Sequence, residues 1–290
     1  MNASDAPLAV RARTAFLRAC LLDVETRKPG NVSVASAGHG MTSAQFIASA
    51  GTAAAGLFTP HARVGARILD AVRRTFDAVG CNTNLGIVLL AAPLCAALDA
   101  FDANASIDAA RWHGATQRVL ADLDVDDARL AYRAIALANP GGLGDAPEQP
   151  VHAPPTVTLR AAMTLAADRD SIARQYENGF AEVFGAGLDA AGEVAASTAH
   201  RAMLDAFLTF LSGWPDSHIV RKQGAAVAQS VTRDAVRHRA QWRMSGSPVE
   251  SRALDDWDAE LKARGINPGT SADLAVATLF VALVASSKNA

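Results

Sequence analysis

The sequence predicts an all-α protein, a single-domain multi-helix bundle or orthogonal helical array, and three observations carry that expectation. Apolar residues recur at helical spacing along most of the chain, no stretch shows the alternation of a half-buried strand, and no period repeats. The apolar mass, 50% of residues with only 6% aromatic, is Ala, Leu and Val, which suits closely packed helices better than a sheet sandwich.

Element by element, Leu8 to about Thr26 carries Val10, Ala15, Phe16, Ala19 and Leu22 at helical spacing and must stop before Pro29. Val32 to Met41 is a Ser/Gly-rich loop, and Thr42 can cap a helix to about Leu57. Val64 to Val79 is amphipathic. The joint Gly80 to Gly86 precedes an apolar helix reaching about Phe101. Ser106 or Asp108 opens a helix to about Leu123, and Asp124 or Asp126 one to about Leu137. Thr158 to Phe184 reads as one long helix. Asp189 to Leu211 reads as another, after a break at Gly185 and Gly187. Pro215-Asp216-Ser217 opens a helix from His218 to about Met244. Ser251 to Ala263 and Ala272 to Ser286 are the last two.

With 290 residues and a low charged fraction, a sizeable core is expected and disorder is not. Residues 1–290 are read as one domain, with a surface loop near residues 139–157 that contains Asn139-Pro140-Gly141-Gly142 and further prolines. A net charge of −2 argues against nucleic acid or an acidic membrane as partner. Cys20, Cys81 and Cys95 form neither a CxxC pair nor a disulfide framework, and suit reduced thiols in a cytosolic core. No secretory leader is visible, and the apolar runs Ile87 to Leu98 and Leu274 to Ala285 fall short of the ~20 residues a spanning helix needs. A cytoplasmic protein without a membrane partner is the expectation, with a homodimer left open.

Polar residues that could carry chemistry fall into clusters, each with a plainer alternative. Glu25-Thr26-Arg27-Lys28-Pro29-Gly30-Asn31 sets an acid and two cations beside a rigid turn, but cations also suit a helix C-terminus. Gly80-Cys81-Asn82-Thr83-Asn84-Leu85-Gly86 offers backbone N–H groups and amides to an anion, or merely an N-cap. Asp168-Arg169-Asp170, with Tyr176, interrupts an apolar pattern. On a continuous helix Asp168 and Asp170 would point about 200° apart. Pro215-Asp216-Ser217-His218 with Arg221-Lys222 opens a helix, and Asp216 or Ser217 could serve only as its cap. Asn267-Pro268-Gly269-Thr270-Ser271-Ala272-Asp273 is a capping turn that carries a carboxylate to the mouth of an apolar helix, where it could meet magnesium or a substrate hydroxyl. The seven histidines make no HxxxH or HExxH zinc pattern, and His39 alone lies in a glycine-flanked loop. No P-loop and no GxSxG elbow occurs.

Taken in order, Glu25 to Asn31, Gly38-His39-Gly40-Met41, Asn82 to Gly86, the Arg169-Asp170 segment and Asn267 to Leu274 resemble the triphosphoribosyl-dephospho-CoA synthase family over nearly the whole chain. The resemblance implies an all-helical transferase that joins ATP to 3′-dephospho-CoA through a ribosyl bond and releases adenine. Its product, 2′-(5″-triphosphoribosyl)-3′-dephospho-CoA, is a prosthetic-group precursor. ATP would be a substrate, with Mg2+ on the triphosphate. By matching motif positions, Lys28, Arg169 and Lys222 would meet phosphates. Glu25, Asp170 and Asp273 would bind metal or act as general base, and Asn82 and Thr83 would hold ribose or phosphate oxygens. Asn31, His39, Asn84, Tyr176, Asp216, Ser217, Asn267 and Thr270 would complete the nucleotide pocket. Glu25, Asn82, Arg169, Asp216 and Asp273 should then border one cleft. The citrate-lyase branch has Asn-Thr-His-Lys-Gly where this chain has Asn82-Thr83-Asn84-Leu85-Gly86, and an Asp where Gly40 stands. The chain thus resembles a variant branch. Alternatives are another ATP-using enzyme of cofactor (one-carbon carrier) biosynthesis, a nucleotide-binding regulator without catalysis, and a plain helical interaction module.

Overall fold

The computed structural model describes residues 6–35, 41–139, 153–245 and 252–285. His39 and most of the proline-bearing loop after Asn139 lie outside them. Among the described residues the chain forms helices and no strand.

The first half follows the sequence closely. It comprises α1 (Leu8–Glu25), α2 (Ser43–Leu57), α3 (Val64–Val79), α4 (Leu85–Leu98), α5 (Ala109–Ala121) and α6 (Val125–Ala138). Thr42 and Asp124 build capping boxes at the starts of α2 and α6, and Asp108 caps α5, so each of these boundaries is a satisfied set of N–H groups. α4 continues through Pro93, is buried along nearly its whole length, and packs against α3, α5 and the final helix.

The second half is more broken than the sequence suggests. The expected helix from Thr158 to Phe184 is α7 (Leu159–Thr164) and α8 (Ser171–Asn178), because Asp170 turns its carboxylate onto the N–H groups of Ile172 and Ala173 and starts a new helix there. Gly185 and Gly187 do not interrupt the chain. They lie in a π-helical turn (Val183–Gly187) that runs into α9 (Leu188–Ala191), and the break falls at Gly192. α10 spans Ala199–Gly213. The expected helix from His218 to Met244 is divided into α11 (Ser217–Gln223) and α12 (Ala225–Ser245) by Gly224, whose φ of 89° a helix cannot contain. α13 (Arg252–Ala263) and α14 (Gly269–Ala285) close the order.

α14 is the axis of the core, with α1, α4 and α10 packed against it. Phe280 meets Phe16, Phe58 and Trp112 edge-on or nearly so, at ring separations of 5.2–6.2 Å. An apolar helix of this kind is stable only when covered on every side. Its N-terminus, Asp273 included, is therefore carried to where the surrounding helix ends meet.

Small residues set the closest approaches. A Cβ on Gly56 of α2 would lie 2.5 Å from the backbone nitrogen of Ala71 in α3, and neither backbone can yield cheaply. Gly56→Ala is expected to push α2 and α3 apart and cost about 1–3 kcal/mol in denaturant unfolding. A loss within ~0.5 kcal/mol of zero would contradict this packing.

Candidate active site

Five inter-helix joints lie around Asp273. At the end of α1, Lys28 folds back beneath the helix. It is 1% exposed, its Nζ lies 3.1 Å from Asp23 Oδ1, and it donates to the carbonyls of Asp23 and Thr26. Glu25 lies on the other side of the helix, exposed and paired with Arg18 at 2.9 Å. Two residues rotate a helix by about 200°, so Asp23 and Glu25 cannot both face inward. Asp23 continues the stripe Ala12, Phe16 and Ala19, and that periodicity is the signal in the sequence that could have found it.

The turn after Lys28 is fastened to the α13–α14 joint. Gly30 N donates to Asp258 Oδ1 at 2.8 Å, and Asn31 Nδ2 donates to Asn267 Oδ1 at 2.9 Å. A Cβ on Gly30 would lie 2.9 Å from both Ile266 O and Pro268 Cδ.

Between α3 and α4, Asn82 Oδ1 accepts from Leu85 N at 3.1 Å, and Thr83 Oγ1 lies 2.5 Å from Ser49 Oγ. Asn84 is buried, and its Nδ2 finds no hydrogen-bond partner among the described residues. Leu85 turns into the core. Gly86 lies directly against the Asp273 carboxylate, where any Cβ would collide with Oδ2.

The N-termini of α8, α11 and α14 meet on the remaining side. Asp170 Oδ1 caps α8, while its Oδ2 accepts from Arg221 at 2.6 Å. Ser171 N donates to Ser217 Oγ at 2.8 Å, and His218 N to Thr270 Oγ1 at 3.2 Å. Asp216 Oδ1 accepts from the N–H groups of His218 and Ile219, and its Oδ2 from Ser271 N and Oγ, both at 2.7 Å.

Asp273, only partly buried, has no hydrogen bond or ion pair of its own among the described residues. Burial raises its pKa well above the usual carboxylate range. The charges of Asp23, Asp216 and Asp170 push the same way against Arg221. Burial also raises Asp23, opposed by Lys28, and raises Asp216, opposed by the Ser271 and Ile219 hydrogen bonds.

Of the residues expected at the site, the structure thus draws Lys28, Asn31, Asn84, Asp170, Asp216, Ser217, Asn267, Thr270 and Asp273 into the helix ends bordering this region, with Asn82 and Thr83 on the Gly86 side. It does not draw in Glu25. Tyr176 is wholly buried and donates its hydroxyl to Leu89 O at 2.6 Å, so it is a core residue. Arg169 and Lys222 are exposed, each next in sequence to a member of the Asp170–Arg221 pair. Asp23 and Asp258 are the participants that lie outside the motifs, and Arg221 and Ser271, members of the polar clusters, are given no role by the resemblance. Glu25, Asp170 and Asp273 do not assemble as ligands, and no group of three or more metal-ligating side chains occurs among the described residues.

A charged interior packed with helix ends, next to a carboxylate left without a partner, is the build of a small-molecule enzyme rather than a scaffold. The family model described as ATP:dephospho-CoA triphosphoribosyl transferase (CitG) matches residues 9–290, and the chain belongs to that family. It is accordingly an ATP-dependent transferase. A search of curated proteins finds no match. Among solved structures, the fold is similar to a protein from Archaeoglobus fulgidus described provisionally as a triphosphoribosyl-dephospho-CoA synthase. The TM-score is 0.62 at 22% identity, over 82% of this chain and 98% of that one. No helix among the described residues is long and apolar enough to cross a membrane.

Two substitutions test the geometry. A carboxyl with a higher pKa folded than unfolded holds its proton more tightly in the folded state, so its ionisation opposes folding. That cost is absent below the unfolded value, near pH 4, and grows as pH rises through the folded value. Asp273→Asn should therefore melt higher than the wild type at about pH 8, with the gap closing toward about pH 4. A variant melting lower at both pH values would show that the carboxylate is compensated. Gly86→Ala should lower kcat by about 10-fold or more by displacing the Asp273 head group, while far-ultraviolet circular dichroism stays unchanged. Wild-type kcat in this variant would separate Asp273 from the chemistry.

Proposed function

We propose that the chain transfers the 5′-triphosphoribosyl group of ATP to the 2′-hydroxyl of 3′-dephospho-CoA, with Asp273 as the group that receives the hydroxyl proton. In this step the ribose C1′–N9 bond of ATP breaks, a bond forms from the acceptor oxygen to that carbon, and adenine departs with the bonding electron pair and takes a proton from solvent, while Asp273 later returns the hydroxyl proton to solvent. The observation that carries the reading is Asp273 itself. It is an unpaired, partly buried carboxylate with a raised pKa, held against Gly86 at the N-terminus of α14. A carboxylate held above the ordinary aspartate range takes up a hydroxyl proton more readily than a free aspartate does, and when ionised it can support an oxocarbenium-like centre.

The first N–H groups of α8, α11 and α14 are spent on Asp170 and Asp216, so the positive charge for phosphates would come from the exposed cations at the rim. Arg169 and Lys222 would meet the triphosphate at the solvent edge, beside the Asp170–Arg221 pair. Lys28 is committed to Asp23 and would act by holding the α1 end rather than by touching phosphate. The unpartnered Asn84 amide is free to donate to a ribose or phosphate oxygen. The donors do not fit a metal caged by the protein. Asp170 and Asp216 spend their oxygens on backbone N–H groups, Arg221 and Ser271, and no third ligand joins them among the described residues. Mg2+ would arrive on the triphosphate, as is common for this ion. The three free cysteines fit a reducing, cytoplasmic setting.

One observation favours a second reading in which the acceptor differs. Asn84 and the buried Leu85 replace a histidine and a lysine expected of the citrate-lyase branch, so this joint offers a bound substrate no cation. Incubation with Mg·ATP and 3′-dephospho-CoA, followed by mass spectrometry, should yield free adenine and the joined product. Asp273→Asn should slow this by at least ~100-fold. Adenine released with water as sole acceptor would favour the second reading. No adenine, with or without other alcohol acceptors, would sink both.

A further inference from the structure

Away from Asp273, α9, α10 and α12 border a solvent-open cavity of about 130 Å3 lined by Ala190, Arg201, Asp205, Thr209, Arg239 and Arg243. Helical spacing builds it. Arg201, Asp205 and Thr209 follow one another at four-residue steps along α10, and Arg239 and Arg243 are one such step apart on α12, which packs against α10.

The lining carries three guanidinium groups and one carboxylate, and the carboxylate is already engaged. Asp205 accepts from Trp242 Nε1 at 2.6 Å and lies 3.4 Å from Arg201, whose guanidinium also sits over the Trp242 ring. Arg239 keeps a long hydrogen bond to Ser212 Oγ at 3.4 Å, and Arg243 has no ion pair among the described residues. Burial and the neighbouring charge of Arg243 both lower the pKa of Arg239. Like charges one helical turn apart repel, and here the cavity between the helices holds too few carboxylates to neutralise them.

We propose that this cavity is an oxyanion site, in which Arg239 and Arg243 hold a phosphate group. Arginine forks match phosphate oxygens in geometry and in charge. The volume is several times the ~30 Å3 share of a water molecule. It is well below the ~300–1,000 Å3 of pockets that enclose a whole small-molecule ligand. The occupant is thus a phosphate group rather than a nucleoside: either a free phosphate or pyrophosphate ion, or the phosphate arm of a nucleotide lying outside the cavity. None of the lining residues belongs to the Asp273 site, so the site stands whether or not the proposed transfer is correct.

Thermal melting of the full chain, with inorganic phosphate titrated against chloride at constant ionic strength, tests it without any need for turnover. The expected result is a saturable rise of about 2–4 °C. Arg239→Gln with Arg243→Gln should abolish that rise while melting no lower than the wild type in phosphate-free buffer, since a repulsion is removed. Arg133→Gln, on the exposed face of α6, should keep it. No saturable response in the wild type, or the same response in the double variant, would overturn the site. Once binding is shown, competition separates the two sources: a nucleotide's phosphate arm predicts that dephospho-CoA or ATP displaces phosphate, and a free ion predicts that neither does.

Discussion

One buried carboxylate ties together the ends of two helices on which the site depends. Asp216 caps α11 with one oxygen and receives the N–H and hydroxyl of Ser271 in α14 with the other. A residue 2% exposed would be costly to ionise without such partners, and four donors are close to all that a carboxylate can accept. The bond fixes where α14 begins, and so where Asp273 lies. It also fixes α11, from which Arg221 reaches Asp170 and thereby sets the start of α8. The three N-termini are positioned by side-chain carboxylates rather than by loop length.

This construction has an electrostatic cost and a functional use. Asp23, Asp170, Asp216 and Asp273 crowd their charges, and burial raises three of them above the ordinary range. Helix dipoles, Lys28 and Arg221 offset much of the repulsion, with each cation assigned to one acid. Asp273 is left as the carboxylate without a partner. The residue beside Asp273 is a glycine because a Cβ there would collide with the carboxylate. The departures at Asn84 and Leu85 leave that arrangement untouched. Leu85 joins the core and Gly86 keeps its place, so the variation bears on what is bound rather than on whether the scaffold forms.

The fold was legible where local signals agreed. Thr42, Asp108 and Asp124 cap helices as their position before apolar periodic stretches suggests, and α3 and α13 match their expected spans to within a residue. It was not legible from residue 158 to residue 245, where the same apolar pattern continues across breaks. Asp170 looks like an interior charge, but it caps α8 with one oxygen, and Arg221, fifty-one residues away, partners the other. Gly187 looks like a break but packs against Thr278 and Phe210, and the helix bulges around it instead of ending.

By itself, the sequence determined an all-helical chain, its apolar final helix, and the set of polar joints that the family shares, because caps, glycines and periodicity act over a few residues. Which member of each joint faces inward was decided by tertiary structure. Asp23 rather than Glu25 points to the interior, since a two-residue offset on a helix turns a side chain by about 200°, and Arg221 rather than Lys222 reaches Asp170, since one residue turns it by about 100°. Tyr176 was taken into the core, where its hydroxyl donates to Leu89 O of α4. The partners that select these orientations lie far away in the chain, so no local pattern could announce them.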